Sequence, residues 1–402
     1  MRKILAFLIS LVMLLSLSFL SLAEGVTLKT VSTFAGTDAA AETYVALLKA
    51  WEEKTGNKIE DASSTGDEVF KAGVLNDFAA GNEADLLFFF AKTADSAPIL
   101  EKVVPIEEIN AAYPELNLPV NTAIAEPDGV VYSIPVRPFW EGLFCNIDLF
   151  EQVGAQLPTT WENLVDAIAR FKEAGIVPIA VSFSDIPHYI ADVTVLSASS
   201  EADYLARPKA GDPIPQAWID GNAKIHELYE LGAFPVDVNA TTEAVTSQMF
   251  RDKKAAMQMD GSWFANGIPE ENYDTTVVVP FPVTSEEAQP TAFMGGVSMG
   301  FYVSRKAWDD PAKRDAVVDL LAYLTTGDNA VALAAFQFKG KLLESSFEML
   351  NAGLTTMYGP LQDAMDPEAR SYWFSQIPGI ADGTADPADV WKGVMELAPF
   401  GK

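Results

Sequence analysis

The chain has 402 residues and a formal net charge of −29, with 27 Lys and Arg against 56 Asp and Glu. A surface this acidic repels nucleic acid and anionic membranes, so neither is expected as a partner. Charged residues make up 21% and hydrophobic residues 49% of the chain, which excludes an intrinsically disordered protein. The chain is too long to fold around one hydrophobic core, so two lobes or domains are expected.

The single cysteine and the two histidines exclude several kinds of site. Cys145 has no partner for an intramolecular disulfide, and its apolar neighbours favour a buried, unreactive thiol. His188 and His226 stand at no metal-ligand spacing to a second His or Cys. This argues against a zinc site and against a Ser-His-Asp centre. We therefore expect no cofactor and no bound metal.

The N-terminus has the pattern of a secretory signal peptide. Arg2 and Lys3 precede an apolar run from Ile4 to Leu22, and small residues favour cleavage after Ala23. The alternative is a retained membrane anchor, because the apolar run approaches the length of a spanning helix. Removal of residues 1–23 leaves 379 residues (402 − 23) with a net charge of −31 (−29 − 2), which we expect to be soluble and exported.

Strand and helix patterns alternate from the start of the mature chain. Residues 27–33 alternate as a strand does, and apolar residues at helical spacing then predict a helix that stops at Gly56. A second helix is predicted over 67–80, ending at Gly81. Residues 84–90 form a continuous apolar run, which is typical of a strand buried on both faces.

The same alternation continues to the C-terminal part of the chain. Thr159 and Glu162 have capping-box spacing and predict a helix that Gly175 closes. Further strands are predicted over 177–182, 255–259 and 276–279, and further helices over 218–231, 315–325 and 330–335. Such alternation predicts α/β sheets with helices on both faces. Ligands of such sheets bind on the loops at the carboxyl ends of the strands.

Several blocks resemble the extracellular solute-binding proteins of ABC importers, in the carbohydrate-binding group that includes maltose-binding protein. Each block alone is a weak signal, but together they follow the family order and, with the N-terminal units, span nearly the whole mature chain. The blocks are DGVVYSIP (128–135), GLFCN (142–146), DLF (148–150), PTTW (158–161), GIVPI (175–179), FRDKKAAM (250–257), DGSW (260–263) and the glycine pair at 295–296.

The resemblance implies the type II periplasmic-binding-protein fold, an α/β fold of two discontinuous lobes joined by hinge crossovers around a ligand cleft. It places residues 24–134 and 298–341 in the N-terminal lobe, and 135–297 and 342–402 in the C-terminal lobe. Crossings are expected near 134–135, 296–299 and 340–342. The implied function is capture of a mono- or oligosaccharide by lobe closure, without catalysis, and delivery to the transmembrane subunits of an ABC permease.

One departure from the family concerns the location of the protein. Gram-positive members usually carry a lipobox cysteine at the cleavage site, and this chain has none. We expect a periplasmic protein or one at the extracellular face of the cytoplasmic membrane, and the sequence leaves tethering open. A monomer is expected, because the receptor must dock on a permease.

A sugar site needs flat aromatic rings for the C–H faces and polar groups for the hydroxyls. Trp263 matches the family's stacking tryptophan, although a core position is the alternative. Asp260 is expected either to accept a hydroxyl or to serve a turn. The loop after the first crossover adds Arg137, Trp140 and Glu141, with a salt bridge as the alternative role for the arginine.

Weaker candidates follow the other strands. Phe34 follows the first strand and Asp67 the second, where the aspartate also suits a helix N-cap. Lys92 and Asp95 follow the strand that ends at Phe90. His188 follows the strand at 177–182, at a position that corresponds to a ligand contact of the family, and a structural role is its alternative. Trp373 resembles the C-terminal aromatic residue that some relatives close over the ligand.

Two other readings stay open. The same kind of receptor could bind a polyamine, a peptide or a metal chelate; an acidic pocket without stacking tryptophans would favour a polyamine. A secreted glycoside hydrolase needs two carboxylates roughly 5–10 Å apart. No motif places Glu141 and Asp260 in that role, and with 56 acidic residues chance pairs are inevitable.

Overall fold

The structure, a computed structural model, describes residues 25–401 apart from positions 37, 39 and 335–337. The signal peptide expected at residues 1–23 lies outside the described residues. In the described part of the chain, no helix is both long and apolar enough to cross a membrane.

The described residues form ten strands and sixteen α-helices. The strands are β1 (Thr27–Val31), β2 (Lys58–Asp61), β3 (Leu86–Phe90), β4 (Phe139–Asn146), β5 (Val177–Ala180), β6 (Ala255–Gly261), β7 (Thr276–Val279), β8 (Phe293–Gly296), β9 (Met299–Val303) and β10 (Met357–Tyr358). The helices are α1 (Ala41–Thr55), α2 (Glu68–Ala80), α3 (Ile106–Ala112), α4 (Ile147–Val153), α5 (Trp161–Glu173), α6 (His188–Ala198), α7 (Glu201–Tyr204), α8 (Gln216–Glu230), α9 (Glu243–Arg251), α10 (Ser262–Ala265), α11 (Arg305–Asp309), α12 (Arg314–Thr325), α13 (Gly327–Ala334), α14 (Gly340–Ala352), α15 (Pro367–Asp382) and α16 (Pro387–Glu396). Short 3-10 helices occupy Ala97–Lys102, Thr122–Ile124, Glu270–Asn272 and Leu361–Ala364.

The first lobe is built on a four-stranded sheet in the order β2-β1-β3-β9, parallel except for β9. Alternate residues of a strand point to opposite faces. Leu86 and Phe88 therefore join one core with the helices α1 and α12, whereas Leu87 and Phe89 join a second core with α2. The run at 84–90 is apolar throughout because both faces of its strand are buried.

The second lobe is built on a sheet in the order β10-β8-β4-β6-β5, with β7 paired to β4. Its central strand β4 is likewise buried on both faces. Leu143 and Cys145 face the larger core, which contains α6, α8, α15 and α16, while Trp140 and Phe144 face a smaller core with α14. Burial raises the pKa of the Cys145 thiol, so the thiol is unreactive at neutral pH.

Local sequence signals set several helix ends. Gly56 and Gly81 adopt φ of 76° and 75°, a left-handed conformation that glycine takes without strain and that ends α1 and α2. Asp67 caps α2 by accepting a hydrogen bond from the Phe70 amide. The predicted capping residue Thr159 is off by one position, because the side chain of Thr160 accepts from Asn163 instead.

The chain passes between the lobes at the two crossings that the described residues cover fully. Ile134 bridges Phe301 in the first lobe, and Phe139 pairs with Gly296 in the second. The return crossing lies between β8 and β9. Near the third crossing, Leu333 packs in a first-lobe core and Phe338 already packs in a second-lobe core, a few residues before the expected boundary at 341–342.

Candidate functional site

A cavity of about 160 Å³ lies between the lobes. A single water needs about 10–15 Å³ by the same measure, so the cavity holds a molecule far larger than a few waters. Both lobes contribute to its walls, at the carboxyl ends of the parallel strands and at the beginnings of the antiparallel strands β4 and β9. The lining residues are Thr33, Ala35, Asp38, Thr65, Gly66, Asp67, Glu68, Lys71, Phe88, Phe90, Arg137, Phe139, Glu141, Ile186, His188, Tyr189, Glu243, Trp263, Ser298, Met299, Pro360, Gln362 and Asp363.

Trp263 forms an aromatic wall of the cavity. Strand β6 ends at Gly261, and the indole folds back over this residue so closely that a Cβ there would lie 2.3 Å from the ring. Only glycine leaves room for that approach. The Trp263 ring lies 6.2 Å from the Phe139 ring and 6.1 Å from the Tyr189 ring, and the indole is half-buried. The three rings, tilted by 36° and 47° relative to the indole, give the cavity an apolar wall.

Strand alternation selects which residues of 137–141 reach the cavity. Phe139 and Glu141 are two positions apart on β4, so their side chains point to the same face, and both line the cavity. Trp140 lies between them on the opposite face, is 1% exposed and stacks on Phe144 at 5.7 Å. The segment after the crossover is therefore a strand, not the loop that the sequence suggested, and Trp140 belongs to the core of the second lobe.

Arg137 lies at the edge of the cavity and has partners within the protein. Its guanidinium donates to both carboxylate oxygens of Asp38, and it lies 4.8 Å above the ring of Phe34. The fork geometry and the aromatic face suit arginine better than lysine. The arginine thus joins a salt bridge and still presents part of its surface to the cavity.

His188 lines the cavity in a neutral form. Its ring stacks on Phe374 at 5.1 Å and meets the edge of Tyr189 at 4.6 Å. Burial, together with the positive charges of Lys71 and Arg370, lowers the pKa of His188 to about 3. At neutral pH the imidazole carries no charge and can both donate and accept a hydrogen bond.

Carboxylates dominate the polar part of the lining. Burial raises the pKa of Asp363 to about 6, and burial with the nearby Asp185 raises the pKa of Glu243 to about 7. Burial also raises the pKa of Glu141 well above its usual range, helped by Asp192. Taking carboxylates out of water disfavours their charged form.

Three aromatic candidates lie in lobe cores and not in the cavity lining. Phe34 is 1% exposed and packs against Tyr44 and Phe88. Trp373 is fully buried and donates from Nε1 to the Asn222 side chain at 2.9 Å. Together with Trp140, these rings fill volume within a lobe, so we leave them out of the proposed site.

Three polar candidates also lie outside the cavity lining. Asp260 is part of β6, which extends two residues beyond the predicted strand, and its carboxylate accepts from Gln258 and from the Gly261 amide. Lys92 is exposed, and its backbone amide donates to Glu126. Asp95 is fully buried in an ion pair with Arg370. Trp263, Arg137, Glu141, Asp67 and His188 do line the cavity.

Several lining residues were not among the predicted ones. Phe139 points to the same face of β4 as Glu141, and Tyr189 is next to His188 in the sequence. Correct strand and helix limits would therefore have suggested both Phe139 and Tyr189. Lys71 lies one helical turn after Asp67. Glu68 directly follows Asp67 in the sequence. The other acidic residues come from loops or helix starts without a recognisable pattern: Asp38, Glu243 and Asp363.

The carboxylates are not arranged as a metal site. Among the described residues, no group of three or more His, Cys, Asp or Glu side chains is placed to hold a metal ion. The cavity instead combines flat rings with dispersed polar groups, which is the composition of a site for a small organic molecule.

Two α/β lobes, discontinuous in sequence and closed around such a cavity, define a protein that binds a small solute between its lobes. The model of the bacterial extracellular solute-binding protein family matches residues 35–331. The chain belongs to this family, whose members bind solutes and are not enzymes. The predicted family and fold class are thereby confirmed.

Solved structures show the same fold. A chitin oligosaccharide binding protein is similar over 92% of this chain and 98% of its own, with a TM-score of 0.78 and 18% identity. A sugar transporter protein from Bacillus licheniformis in complex with stachyose is similar over 92% of this chain and 99% of its own, with a TM-score of 0.70 and 15% identity. Maltose-bound MalE3 from T. maritima is similar over 93% of this chain and 99% of its own, with a TM-score of 0.74 and 14% identity. No curated protein sequence matches the chain.

Proposed function

We propose that the protein captures a carbohydrate in the interlobe cavity and delivers it to the transmembrane subunits of an ABC permease. The observation that carries this proposal is the aromatic wall of Trp263, Phe139 and Tyr189 beside polar groups from both lobes. Rings of this kind stack on the C–H faces of a sugar, and carboxylates and Arg137 suit its hydroxyls. The similar structures described as binding chitin oligosaccharide, stachyose and maltose support the same ligand class.

Capture follows from the division of the contacts between the lobes. Asp67 and Lys71 belong to the first lobe, whereas Glu141 and Trp263 belong to the second. A solute that contacts both sets binds the closed form more tightly than the open form. Its binding therefore shifts the hinge equilibrium towards closure by the difference between the two affinities.

The test is binding of mono- and oligosaccharides to the purified protein, measured by thermal shift and by calorimetry. A ligand at a hundred times its Kd adds about 2.7 kcal/mol to the stability, a gain that raises Tm by about 3 °C for a chain of this length. We expect a shift with at least one saccharide, recovered unhydrolysed. Trp263→Ala should abolish that shift.

Trp161→Ala is the matched control. Trp161 is also a half-buried tryptophan of the second lobe, and its Nε1 donates to Glu227 outside the cavity. Each variant is compared with its own ligand-free Tm, so a loss of stability does not count as a loss of binding. Equal ligand shifts in both variants would argue against Trp263 as a stacking residue, and a shift with polyamines alone would overturn the sugar receptor.

We further propose that the protein works outside the cytoplasmic membrane as a monomer. The acidic surface keeps it dispersed, and a closed monomer presents both lobes to a permease. Light scattering of the purified protein, with and without ligand, tests the oligomeric state. A stable dimer in both conditions would contradict this part of the proposal.

A further inference from the structure

The cavity lining carries far more negative than positive charge. Six carboxylates belong to it, and among the described lining residues only Lys71 and Arg137 are lysine or arginine. Both of these cations are already paired, Lys71 with Glu68 at 2.9 Å and Arg137 with Asp38. The carboxylates left without a cation of the lining set are Asp67, Glu141, Glu243 and Asp363.

Among the described residues, Glu141 differs from Asp67 and Asp363 in lacking a hydrogen-bond donor, and from Glu243 in lacking a nearby cation such as Arg251. Asp67 accepts from the Phe70 amide at 2.8 Å, and Asp363 accepts from the Gln362 side chain at 2.7 Å. Glu141 is 5% exposed, and within the described part of the chain no side chain or amide is recorded donating to its carboxylate. Glu141 is one of the residues that line the cavity.

The surroundings of Glu141 make its charge costly. Asp192 from α6, Asp260 from β6 and Asp363 from the 3-10 helix Leu361–Ala364 all act on it with the same sign. A buried carboxylate among like charges favours its protonated form unless a cation or hydrogen-bond donors stabilise the charged form. Among the described residues, no lysine or arginine is recorded acting on Glu141, and the described carboxylates do not form a metal site. A sugar hydroxyl can donate a hydrogen bond to Glu141, whereas a cation also offsets the repulsion from the three aspartates.

We propose that the solute is an amino sugar and that Glu141 receives its protonated amine. This inference rests on the proposed function and narrows its substrate class. Glu141 lies opposite Gly261 in the β4–β6 pairing, and the Trp263 ring covers Gly261. The carboxylate is therefore next to the aromatic wall, where an ammonium substituent of a stacked sugar ring would reach it. The same ammonium also gains from the nearby aromatic faces.

Calorimetry with three matched series of ligands tests the inference. The series are β-1,4-linked glucosamine, its N-acetylated counterpart and neutral β-1,4-linked glucose, each from one to four units. At the length that binds best, we expect the free amine to bind at least tenfold more tightly than either neutral counterpart. Acetylation changes the amine alone, so this comparison needs no protein variant.

Glu141→Gln tests the assigned residue, with Glu230→Gln as control for the lost charge. Glu230 is exposed on α8 and does not line the cavity. We expect the tenfold preference for the amine to fall below about threefold in E141Q and to persist in E230Q. Glutamine has the shape of glutamate and relieves like-charge repulsion, so the melting curve of E141Q should show a folded protein.

The outcomes separate the two claims. Neutral sugars that bind as tightly as the amine overturn the amino-sugar inference and leave a sugar receptor. A preference for the amine that survives in E141Q overturns the role of Glu141. Binding of spermidine with no binding of any saccharide overturns the proposed function itself.

Discussion

Arg370 of the second lobe and Asp95 of the first form a buried two-pronged ion pair across the cleft. The guanidinium donates to both carboxylate oxygens, at 2.7 and 2.8 Å, and the two side chains are 1% and 0% exposed. Arg370 also pairs with Glu68, and Lys71 lies 3.6 Å from Asp95. These contacts join the two lobes, so we expect them to favour the closed form without any ligand atom.

Loss of this pair should open the ligand-free protein. Removal of one partner from a buried ion pair costs about 3–5 kcal/mol when the other charge stays buried. Hinge opening lets water reach Asp95 and avoids that cost. We therefore expect Arg370→Gln to increase the radius of gyration of the ligand-free protein in small-angle X-ray scattering and to weaken ligand binding at least tenfold.

A double-mutant cycle distinguishes this role from a general structural one. Asp95→Asn alone should open the protein as Arg370→Gln does, and the double variant should bind ligand only slightly more weakly than either single variant. Additive effects on the binding free energy would mean that the two residues act independently, and the ion pair would then not control closure.

The opposite faces of β4 should give opposite phenotypes. Phe139 is half-buried on the cavity wall, whereas Trp140 is 1% exposed in a core. Phe139→Ala should weaken ligand binding with a small effect on Tm. Trp140→Ala should lower the free energy of unfolding by about 3–5 kcal/mol. Calorimetry and urea denaturation of both variants check this. A larger loss of ligand affinity in W140A than in F139A, measured at a temperature where both variants are folded, would contradict it.

Trp373 should contribute to stability only. Its ring packs on Trp391 at 4.8 Å, and its indole donates to Asn222. Trp373→Phe removes the hydrogen bond and leaves the Asn222 oxygen unpaired, which costs about 1–3 kcal/mol. We expect a lower Tm and an unchanged ligand Kd, measured below the new melting transition.

Asp363 should make stability depend on pH. Its pKa of about 6 in the folded protein exceeds the usual value of 3.8, so the folded form binds the proton more tightly. The ionised form is therefore destabilised above pH 6, and the protein gains stability as the pH falls from 6 towards 4. Asp363→Asn should be more stable than the wild type at pH 8, by on the order of 3 kcal/mol, with no difference near pH 4.

Urea unfolding of the two proteins across this pH range measures the difference directly. Glu243 titrates in the same range, with a pKa of about 7, but its contribution is common to both proteins and cancels. A stability difference between D363N and wild type that stays constant from pH 4 to 8 would show that burial does not shift this carboxyl.

Periodicity and glycine positions predict most of the fold. The strand at Thr276–Val279 and the helix that ends at Gly56 follow from local patterns. The spacing of buried residues and the glycine at a helix end can both be recognised within a short stretch of sequence. The lobe pairing of β9 with β3 does not follow from such patterns. The resemblance placed residues 298–341 in the N-terminal lobe but did not predict this pairing, and the two strands are about 200 residues apart in sequence.

The site is less accessible to sequence reasoning. Trp263 was predicted from its position in a family block, and Glu141 from its position after the first crossover. Both line the cavity, whereas Trp140 lies on the opposite face of a strand that was taken for a loop. Arg370 and Asp95 are 275 residues apart, and no local pattern marks a pair of that kind. Such contacts depend on how the lobes meet.

The interleaved lobes also determine the order in which this protein can fold. The first sheet is completed by Met299–Val303, and the second by Met357–Tyr358. Neither sheet is complete until at least three quarters of the chain has been synthesised, and pairings over such sequence distances form slowly. We therefore expect the nascent chain to lack both complete sheets during most of its synthesis, which would keep it unfolded at the stage when export begins.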